Sequence, residues 1–356
     1  MPLTQIKGSN VGAVLTNTQL NTTGTASVSN VLPGTFAWSS ASRSGLTNFA
    51  ASDPATPVAG DVWFQGGNVK ITTNPNALTG MWISGGTLVT ARDYPGGCGL
   101  QSSALTSSGE QSPNRQLAEA YSGTSWASVN NTISATYYVQ QFGSTNAAVS
   151  SFGRLAGPRT ATCQEFDGMS WSAGNSAATA RAIPGGCGTQ TAGLTFGGAQ
   201  DAGDWDATTK YDGTSWSAAN SILTARDALK GAGKQSAAVN FGGWEDGGSA
   251  GALTETYDGT SWSAAPVMPG NKNYPMAGGS QSAAIAAGGH TGSGNSDATF
   301  EFDGAVWTSG ADSLSPRNSP GGGGGQTNGV MFGGYNSGTL STTEEWIKPQ
   351  IQYYDV

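Results

Sequence analysis

The sequence predicts an all-β protein, a six-bladed β-propeller closed by pairing an N-terminal strand with the C-terminal blade, plus a small β-rich N-terminal segment. A recurring tryptophan is the first observation behind this prediction, because its intervals are 44, 45, 45, 46 and 45 residues. The second is that no helical period runs for a useful length, while short alternating stretches are frequent. The recurring residues are Trp82, Trp126, Trp171, Trp216, Trp262 and Trp307.

Three other residue types keep the register of the tryptophans. An aromatic residue stands five positions before five of them, at Tyr121, Phe166, Tyr211, Tyr257 and Phe302, and Trp346 continues the series. A glycine ends each FGG-like segment, at Gly109, Gly198, Gly243, Gly289 and Gly334, and FGR at 152–154 is the degenerate copy. An arginine precedes the glycine-rich stretch at Arg92, Arg181, Arg226 and Arg317. A period of this length is typical of propellers and solenoids.

Each copy is expected to form four strands. Residues 226–263 show the pattern best, as ARDALKGAGK, QSAAVNFGG, ALTETYDG and TSWSAA. Within them, Asp258-Gly259 predicts a type I′ hairpin turn, since both central residues of that turn need a positive φ. One such sheet cannot bury both of its faces alone, whereas six arranged radially can.

The ends of the array predict how the ring closes. The first copy has only a fourth strand, and the last copy, 317–348, stops after its third. We therefore predict that residues 80–85 complete the sheet begun by 317–348, which removes two free edges. The glycine run Gly321–Gly325 is predicted to be an innermost strand, because only small residues fit near a crowded axis.

The repeated residues resemble the kelch pattern. That pattern places an Arg early, a Gly-Gly doublet after the second strand, an aromatic on the third strand and a Trp shortly after, here Arg226, Gly242, Gly243, Tyr257 and Trp262. The resemblance covers about three quarters of the chain, residues 80–348. The first two copies lose the doublet, and Thr136 and Lys272 replace the Arg. Kelch-type propellers include enzymes and binding proteins alike, so the resemblance implies a fold and not an activity.

Residues 1–78 stand outside the repeat, so the predicted domains are 1–78 and a propeller over 79–356. The stretch PATPVAGDVWFQGGNVKITTN predicts a β-hairpin, with VWF and NVKI as strands around Gln65-Gly66-Gly67. This segment is similar to parts of phage tail and appendage proteins. The resemblance implies a protein assembled in the host cytoplasm and exposed on the virion surface. It also implies that 1–78 bind other virion proteins or sister chains within an oligomeric assembly. The alternative is an extension that caps the propeller.

Composition and charge limit the partners. The net charge is −8 and no run of Lys or Arg occurs, so we expect no nucleic-acid partner. No apolar stretch is long enough to predict a membrane-spanning helix, and we expect no signal peptide. The three cysteines, Cys98, Cys163 and Cys187, are expected to be small buried thiols, with a metal or an intermolecular bridge as the alternative.

An enzyme is not expected. The single histidine, His290, leaves a His-based triad or metal site without its other parts. No cofactor motif is present, because the glycine runs lack the context of a phosphate loop. Carboxylate clusters still permit glycoside hydrolysis, with solvated turns as the alternative, at Asp201, Asp204 and Asp206 and at Glu245 and Asp246. Asp212, Asp258 and Asp303 are expected to be structural hairpin residues.

Ligand binding is the favoured function. The loops between second and third strands vary most, and alternating strand direction should place all six on one face. Trp205 and Trp244 lie off the repeat register in two adjacent loops, with carboxylates beside them. The predicted glycan site is Asp201, Asp204, Trp205, Trp244, Glu245, Asp246, His290 and Tyr335. The alternatives are indoles packed on neighbouring loops and a solvated His290.

Three functions follow from these patterns. The leading one is a non-enzymatic phage virion structural protein, a tail fibre, appendage or capsid-surface protein that displays a propeller for adhesion to host-surface polysaccharide. The second is a cellular carbohydrate- or protein-binding propeller. The third is a glycan-degrading enzyme that uses Asp204 or Glu245.

Overall fold

A computed structural model of the protein describes residues 62–65, 68–71, 80–110, 116–155, 157–201, 203–245, 249–348 and 353–355. The chain divides into two compact units. One is the propeller, Gly80–Lys348, and the other joins Met1–Thr79 to Pro349–Val356. The last eight residues, which the sequence analysis counted with the propeller, thus group with the N-terminal segment.

The described residues contain 34 β-strands. The first seventeen are β1 (Val62–Gln65), β2 (Asn68–Ile71), β3 (Met81–Ser84), β4 (Gly96–Leu100), β5 (Ser103–Ser107), β6 (Ala118–Tyr121), β7 (Trp126–Val129), β8 (Thr136–Tyr137), β9 (Gln140–Ser144), β10 (Ala147–Ser151), β11 (Arg154–Leu155), β12 (Cys163–Phe166), β13 (Trp171–Gly174), β14 (Gly185–Thr189), β15 (Ala192–Phe196), β16 (Ala199–Gln200) and β17 (Gly203–Asp204).

The remaining strands are β18 (Thr208–Tyr211), β19 (Trp216–Ala219), β20 (Arg226–Asp227), β21 (Lys230–Lys234), β22 (Ala237–Phe241), β23 (Trp244–Glu245), β24 (Ser249–Ala250), β25 (Thr254–Tyr257), β26 (Trp262–Ala265), β27 (Met276–Ser280), β28 (Ala283–Ala287), β29 (Thr299–Phe302), β30 (Trp307–Ser309), β31 (Gly321–Gly324), β32 (Asn328–Phe332), β33 (Thr343–Ile347) and β34 (Tyr353–Asp355).

In the smaller unit, β1 and β2 form the predicted hairpin, with Val62 opposite Ile71 and Gln65 opposite Asn68. The two glycines of the predicted turn lie outside the described residues. The third strand of this sheet is β34, which pairs with β2. The segment that precedes the propeller in the sequence and the segment that follows it therefore contribute strands to one small sheet.

The propeller consists of six antiparallel sheets of four strands, in the predicted arrangement. From the axis outward they are blade 1 (β4, β5, β6, β7), blade 2 (β9, β10, β12, β13), blade 3 (β14, β15, β18, β19), blade 4 (β21, β22, β25, β26), blade 5 (β27, β28, β29, β30) and blade 6 (β31, β32, β33, β3). The innermost strands contact one another in order round the axis, and β31 contacts β4.

Blade 6 closes the ring as predicted. Its outermost strand is β3, from the beginning of the propeller, and it pairs with β33 from the end. The register runs from Met81 opposite Ile347 to Ser84 opposite Glu344. Trp82 and Trp346 face each other in this pairing, and their ring centroids lie 5.5 Å apart.

The recurring tryptophan fills the layer between neighbouring blades. Trp126 stacks on Tyr121 of its own blade at 4.9 Å and meets the edge of Phe332 in blade 6 at 4.8 Å. Its indole N–H donates to the hydroxyl of Thr343 in blade 6 at 2.8 Å. The same bond to a third-strand threonine of the preceding blade joins Trp82 to Thr299, Trp262 to Thr208 and Trp307 to Thr254. Each of these four tryptophans thus combines apolar burial with a directional link between blades.

Two blades lack the bond to a threonine. In blade 3, Trp216 donates instead to the Asn175 carbonyl of blade 2 at 2.9 Å, and in blade 2, within the described part of the chain, the link is missing altogether. The position that faces Trp171 is Ala118 of blade 1, where four other blades place a threonine, and both residues are buried. The Trp171 indole N–H is buried without a hydrogen-bond acceptor among the described residues. An unsatisfied buried donor costs free energy.

A glutamine in the turn between the first two strands provides a second link between blades. The Gln101 amide donates to the carbonyls of Gly329 at 3.1 Å and Trp346 at 2.9 Å, both in blade 6. The same bonds to the preceding blade are made by Gln190, Gln235, Gln281 and Gln326. In blade 2, Thr145 bonds to Ser103 of blade 1 in its place.

The glycine run forms an innermost strand, β31, as predicted. Close approach of neighbouring backbones explains the glycines here. A Cβ on Gly97 would lie 2.6 Å from the Gly322 nitrogen, and one on Gly278 would lie 2.8 Å from the Gly324 oxygen. Larger residues at these positions would force the innermost strands apart.

The predicted type I′ turn at Asp258-Gly259 is wrong. Of the two residues only Gly259 has a positive φ, +95°. The loop has four residues, and the Asp258 carboxylate accepts the backbone N–H groups of Thr260 and Ser261, each at 2.7 Å. The side chain satisfies the turn, so two left-handed residues are not needed. These donors, Ser261 first, hold the pKa of Asp258 below its usual value, in keeping with the expected structural role.

Restoring the missing threonine should stabilise the propeller. We expect Ala118→Thr to raise the free energy of unfolding by about 1 kcal/mol, because the hydroxyl would accept from the Trp171 indole. Chemical denaturation of both proteins measures this gain. The gain should vanish when Trp171→Phe is present in both, since that background removes the donor. An equal gain in the Trp171→Phe background would show that the hydrogen bond is not its source.

Candidate functional site

The variable loops lie at one end of the propeller, as predicted. Each blade alternates strand direction, so the loops between second and third strands share an end with the connections between blades. The two sets also pair with each other, as in β8 with β11 and β20 with β23. We call this surface the loop face.

Buried cations fix the loops of this face. Arg92, 1% exposed, donates to the carbonyls of Ser108 at 3.3 Å and Leu117 at 2.8 Å, which stand at the two ends of the blade 1 loop. Its guanidinium also forms an ion pair with Glu119. Arg317 repeats this arrangement with Gly333, Thr342 and Glu344 in blade 6. In these two blades the Arg therefore joins the connection to the loop that follows it.

The acceptor opposite the cation changes when the cation changes. The position of Glu119 is Glu255 in blade 4 and Glu344 in blade 6, each paired with an Arg. In blade 2 both charges are lost together, because Thr136 replaces the Arg and Gln164 the Glu. Gln164 still accepts the N–H of Ile133 at 2.7 Å, as the carboxylates of other blades accept the equivalent N–H groups. A buried carboxylate without its cation would be costly, which explains the joint loss.

Two blades bury a cation without a carboxylate opposite it. Arg181 donates to two carbonyls and to the hydroxyls of Thr195 and Thr209, and burial lowers its pKa to about 9. Lys272 donates to the carbonyls of Gly288 and Ala298, both at 2.7 Å, and lies 4.8 Å from the Phe300 ring. Burial lowers its pKa to about 7, although the charges of Asp297 and Asp312 act in the opposite direction.

Three of the predicted site residues occupy one equivalent position on consecutive blades. Trp244, His290 and Tyr335 each follow the glycine doublet in blades 4, 5 and 6, where each pairs with a residue of the connection. The Trp244 and His290 rings lie 6.2 Å apart, and Tyr335 is 43% exposed. We call these three residues the aromatic arc. The same position holds Glu110, Arg154 and Ala199 in blades 1, 2 and 3.

The arc residues have defined orientations. With its amide oriented to satisfy both neighbours, buried Asn273 donates to the Gly243 carbonyl at 2.6 Å and accepts from the Trp244 indole at 3.0 Å. His290 is half-buried, and its Nδ1 accepts the Gly292 N–H at 3.0 Å. The Trp244 ring is thus held in place by its polar edge.

The other predicted site residues lie elsewhere on the loop face. Trp205 packs 5.4 Å from the Arg181 guanidinium, in agreement with the alternative that this indole packs on its neighbours. Asp201 is exposed and forms an ion pair with Arg159 of blade 2. Glu245 lies in β23, next to Trp244, and is half-buried. Asp204 belongs to β17 but its side chain lies outside the described part of the structure, as does the whole of Asp246.

A ring of six residues with left-handed backbone surrounds the end of the axis on the loop face, and the sequence analysis missed it. Their φ values lie between 47° and 60°. Non-glycine residues adopt this conformation at a cost of about 1 kcal/mol or more. Glycine would avoid that cost, yet all six positions carry a side chain. The ring, which we call the channel mouth, consists of Tyr94, Tyr138, Ile183, Ala228, Tyr274 and Ser319.

The tyrosines of the channel mouth contact one another edge to face. Tyr94 lies 4.3 Å from Tyr138, in the adjacent blade, and 5.2 Å from Tyr274, two blades away across Ser319. Each of these tyrosines stands two residues after the repeated Arg position of its blade. This fixed spacing is the sequence signal that could have revealed the three tyrosines. Together they place aromatic edges and hydroxyls at the centre of the loop face.

A pair of carboxyl groups borders the mouth in blade 1. Asp93 and Glu110 are ladder partners. Burial, and then the charge of Glu110, raises the pKa of Asp93 to about 6, and one carboxyl oxygen of Asp93 has no hydrogen-bond partner among the described residues. Burial and the neighbouring Tyr94 and Glu110 also raise the pKa of Tyr138. Asp93 therefore has acid–base capacity near neutral pH.

The three cysteines are buried and unbridged, as expected. Burial raises the pKa of each thiol to about 12, so none is a reactive thiolate at neutral pH. Across the described ranges, no three His, Cys, Asp or Glu side chains form a group that could hold a metal ion. The described part of the chain also contains no helix with the length and apolar character needed to cross a bilayer.

These observations define an all-β protein whose main unit is a six-bladed propeller closed by its own first strand, with an aromatic and polar loop face. No protein-family model matches the sequence, and no curated protein is similar enough in sequence to count as a relative.

The buried amine of Lys272 should make stability depend on pH. Its pKa is about 7 in the folded protein against an ordinary 10.5, so between these pH values the unfolded chain holds a proton that the folded chain lacks. The free energy of unfolding should therefore rise with pH across this window, by at most about 1.4 kcal/mol per pH unit from this group. Lys272→Met should remove that rise.

Urea denaturation of both proteins from pH 7 to pH 10 measures the difference, in which the titration of other groups cancels. Lys234→Met is the matched control, because Lys234 is exposed. Parallel pH profiles for wild type and Lys272→Met would refute the assignment.

Proposed function

We propose that this protein is a non-enzymatic phage virion protein, a tail fibre, appendage or capsid-surface protein, whose propeller adheres to host-surface glycans through its loop face. The observation that carries the binding part of the proposal is the aromatic arc. It aligns Trp244, His290 and Tyr335 on three consecutive blades.

The chemistry of the arc suits a sugar chain. A pyranose presents an apolar C–H face and a rim of hydroxyls, and binding sites for such ligands combine aromatic surfaces with a few fixed polar groups. The Trp244 ring is fixed through Asn273, and Tyr335 is open to solvent. The Glu245 carboxylate beside Trp244 is an acceptor for hydroxyl groups. Because the three arc residues occupy equivalent positions on adjacent blades, they could contact several sugars of one extended glycan at once.

The virion part of the proposal is supported by the smaller unit. Its hairpin sequence is similar to segments of phage tail and appendage proteins. The pairing of β34 with β2 joins both flanks of the propeller sequence in one sheet, separate from the propeller unit. We assign to this unit the contacts with other virion proteins in an oligomeric assembly, and we assign no partner role to nucleic acid or to a membrane.

We also infer that the blades are kelch-like. The support is that each residue type of the pattern has the same structural role in several blades. The Arg joins loop to connection, the second glycine of the doublet has a positive φ, and the Trp fills the layer between blades. A cellular carbohydrate- or protein-binding propeller is the alternative that shares all of these features.

A second candidate function is glycan hydrolysis, and one observation favours it. Asp93, with its raised pKa, lies beside Glu110, as a proton donor beside a carboxylate does in glycoside hydrolases. These are not the carboxylates that the sequence analysis named.

Truncating the arc should abolish glycan binding. On an array of bacterial surface polysaccharides, we expect Trp244→Ala with Tyr335→Ala to weaken binding at least about tenfold, because the stacking surfaces are lost. Met169→Ala is the matched control, since Met169 is 78% exposed in a turn at the opposite end of the propeller. Unchanged binding by the double variant would remove the arc from the proposal.

The same polysaccharides should remain intact. Chromatography of bound glycan after long incubation detects shortened chains. Shortening by the wild type that Asp93→Asn abolishes would replace adhesion with hydrolysis as the function.

Residence in a virion is tested separately. Mass spectrometry of phage particles purified by density gradient from a host culture that encodes this chain should detect it at a fixed ratio to the major structural proteins. Detection in the cell extract but not in intact particles would favour the cellular alternative.

A further inference from the structure

A narrow channel runs along the propeller axis. It is lined by the innermost strands of all six blades and encloses about 160 Å³. Each of these strands pairs with a neighbour on its outer side only, so half of its backbone N–H and C=O groups face the channel. Such groups need partners, and a space of this size holds several water molecules or a small ion.

Lys230 is the one charged side chain among the described residues that line this channel. It begins β21, at the end of the channel next to the mouth, and it also lines a small cavity bordered by Tyr94, Tyr138 and Tyr274. The equivalent residues of the other blades are Gly96, Gln140, Gly185, Met276 and Gly321. A cation is therefore not required by the architecture of a blade.

The Lys230 side chain is half-buried, and its ammonium differs from the buried cations of the loop face. Lys272 donates to three oxygens, and Arg92 is paired with Glu119. Lys230 has neither a hydrogen bond nor an ion pair with any residue of the described part of the chain. Burial lowers its pKa to about 8, and no carboxylate among the described residues pairs with it to oppose this shift.

No carboxylate of the described ranges lines the two cavities that Lys230 borders, although one carboxyl pair stands beside the mouth in blade 1. Asp93 and Glu110 line neither the channel nor the small cavity. The tyrosine hydroxyls of the mouth are hydrogen-bond donors, as are the backbone N–H groups of the channel wall. Gln140, 6% exposed, also lines the channel, and its side-chain oxygen has no donor among the described residues.

We propose that the axial channel binds a small oxyanion, for which the ammonium of Lys230 is the counter-ion and the tyrosines of the channel mouth are donors. The ligand chemistry is a carboxylate, phosphate or sulfate group. Its source is a free inorganic anion or the carboxylate of an acidic sugar, and the experiment below separates the two. This site is distinct from the aromatic arc and does not rest on glycan adhesion.

Calorimetric titration of the full chain at pH 6.5, where Lys230 carries its proton, tests the proposal. The probes are sodium phosphate and sodium glucuronate, with glucose as the neutral control. We expect the wild type to bind at least one of the two anions and not glucose, and Lys230→Met to bind it at least about tenfold more weakly. Phosphate binding identifies a free anion as ligand, and binding of glucuronate alone identifies an acidic sugar.

Two variants keep the test independent of folding. Met276 and Gln140 occupy the equivalent position in other blades, so Lys230→Met and Lys230→Gln introduce residues that the architecture already accepts. Both should unfold at a higher temperature than the wild type without added anion, because an uncompensated cation is removed. Lys234→Met, an exposed change at the other end of the same strand, should match the wild type in affinity and stability. Equal anion affinity in wild type and Lys230 variants, or no anion binding by the wild type, would overturn the proposal.

Discussion

A four-stranded sheet with apolar residues on both faces is stable in water only when two other sheets cover it, and this requirement governs the whole propeller. The tryptophans occupy the layers that result, where Trp126 of blade 1 contacts Phe332 of blade 6. Five of the six blades also bond to the preceding blade through a glutamine. Without the pairing of β3 with β33, blade 6 would lack its outermost strand and that strand's tryptophan, Trp82. Closure of the ring is therefore a condition for the packing of every blade.

The same ring presents a surface that the scaffold does not determine. In blades 1, 3, 5 and 6 a buried cation fixes both ends of the variable loop, so the residues between those ends are free to differ from blade to blade. The changes at the cation site itself follow electrostatics. Thr136 occurs with Gln164, and Lys272 occurs with the aromatic ring of Phe300 where other blades place a carboxylate. The frame is repeated from blade to blade, while the side chains on it vary. For this reason the aromatic arc and the channel mouth differ from one side of the loop face to the other.

The sequence predicted the features that repeat. The tryptophan period, the missing first strands of the array and the glycine run were sufficient for the number of blades, the closure by β3 and the position of β31, because each is a regular consequence of one pattern. Features that depend on tertiary contacts of individual side chains in the loops were not predictable. Trp205 resembles a free binding residue in the sequence, and its contact with Arg181 depends on tertiary placement.

The channel mouth was missed for a similar reason. Its register contains Ile183, Ala228 and Ser319 as well as three tyrosines, so no residue type repeats there. A left-handed backbone at non-glycine residues is imposed by the surrounding ring and has no local signal. Lys230 likewise resembles an ordinary strand residue until the axis is formed around it.

The closing pair of strands also determines how the propeller would carry mechanical load. The chain enters the propeller at Met81 and leaves it at Ile347, and these two residues are ladder partners. Both flanking segments then lead to the sheet in which β2 pairs with β34. A pull on the propeller, resisted through that sheet, would be divided between two covalent connections that leave the same end of one strand pair. Neither strand would be peeled from the other, so the hydrogen bonds of the closure would not be broken one at a time by tension.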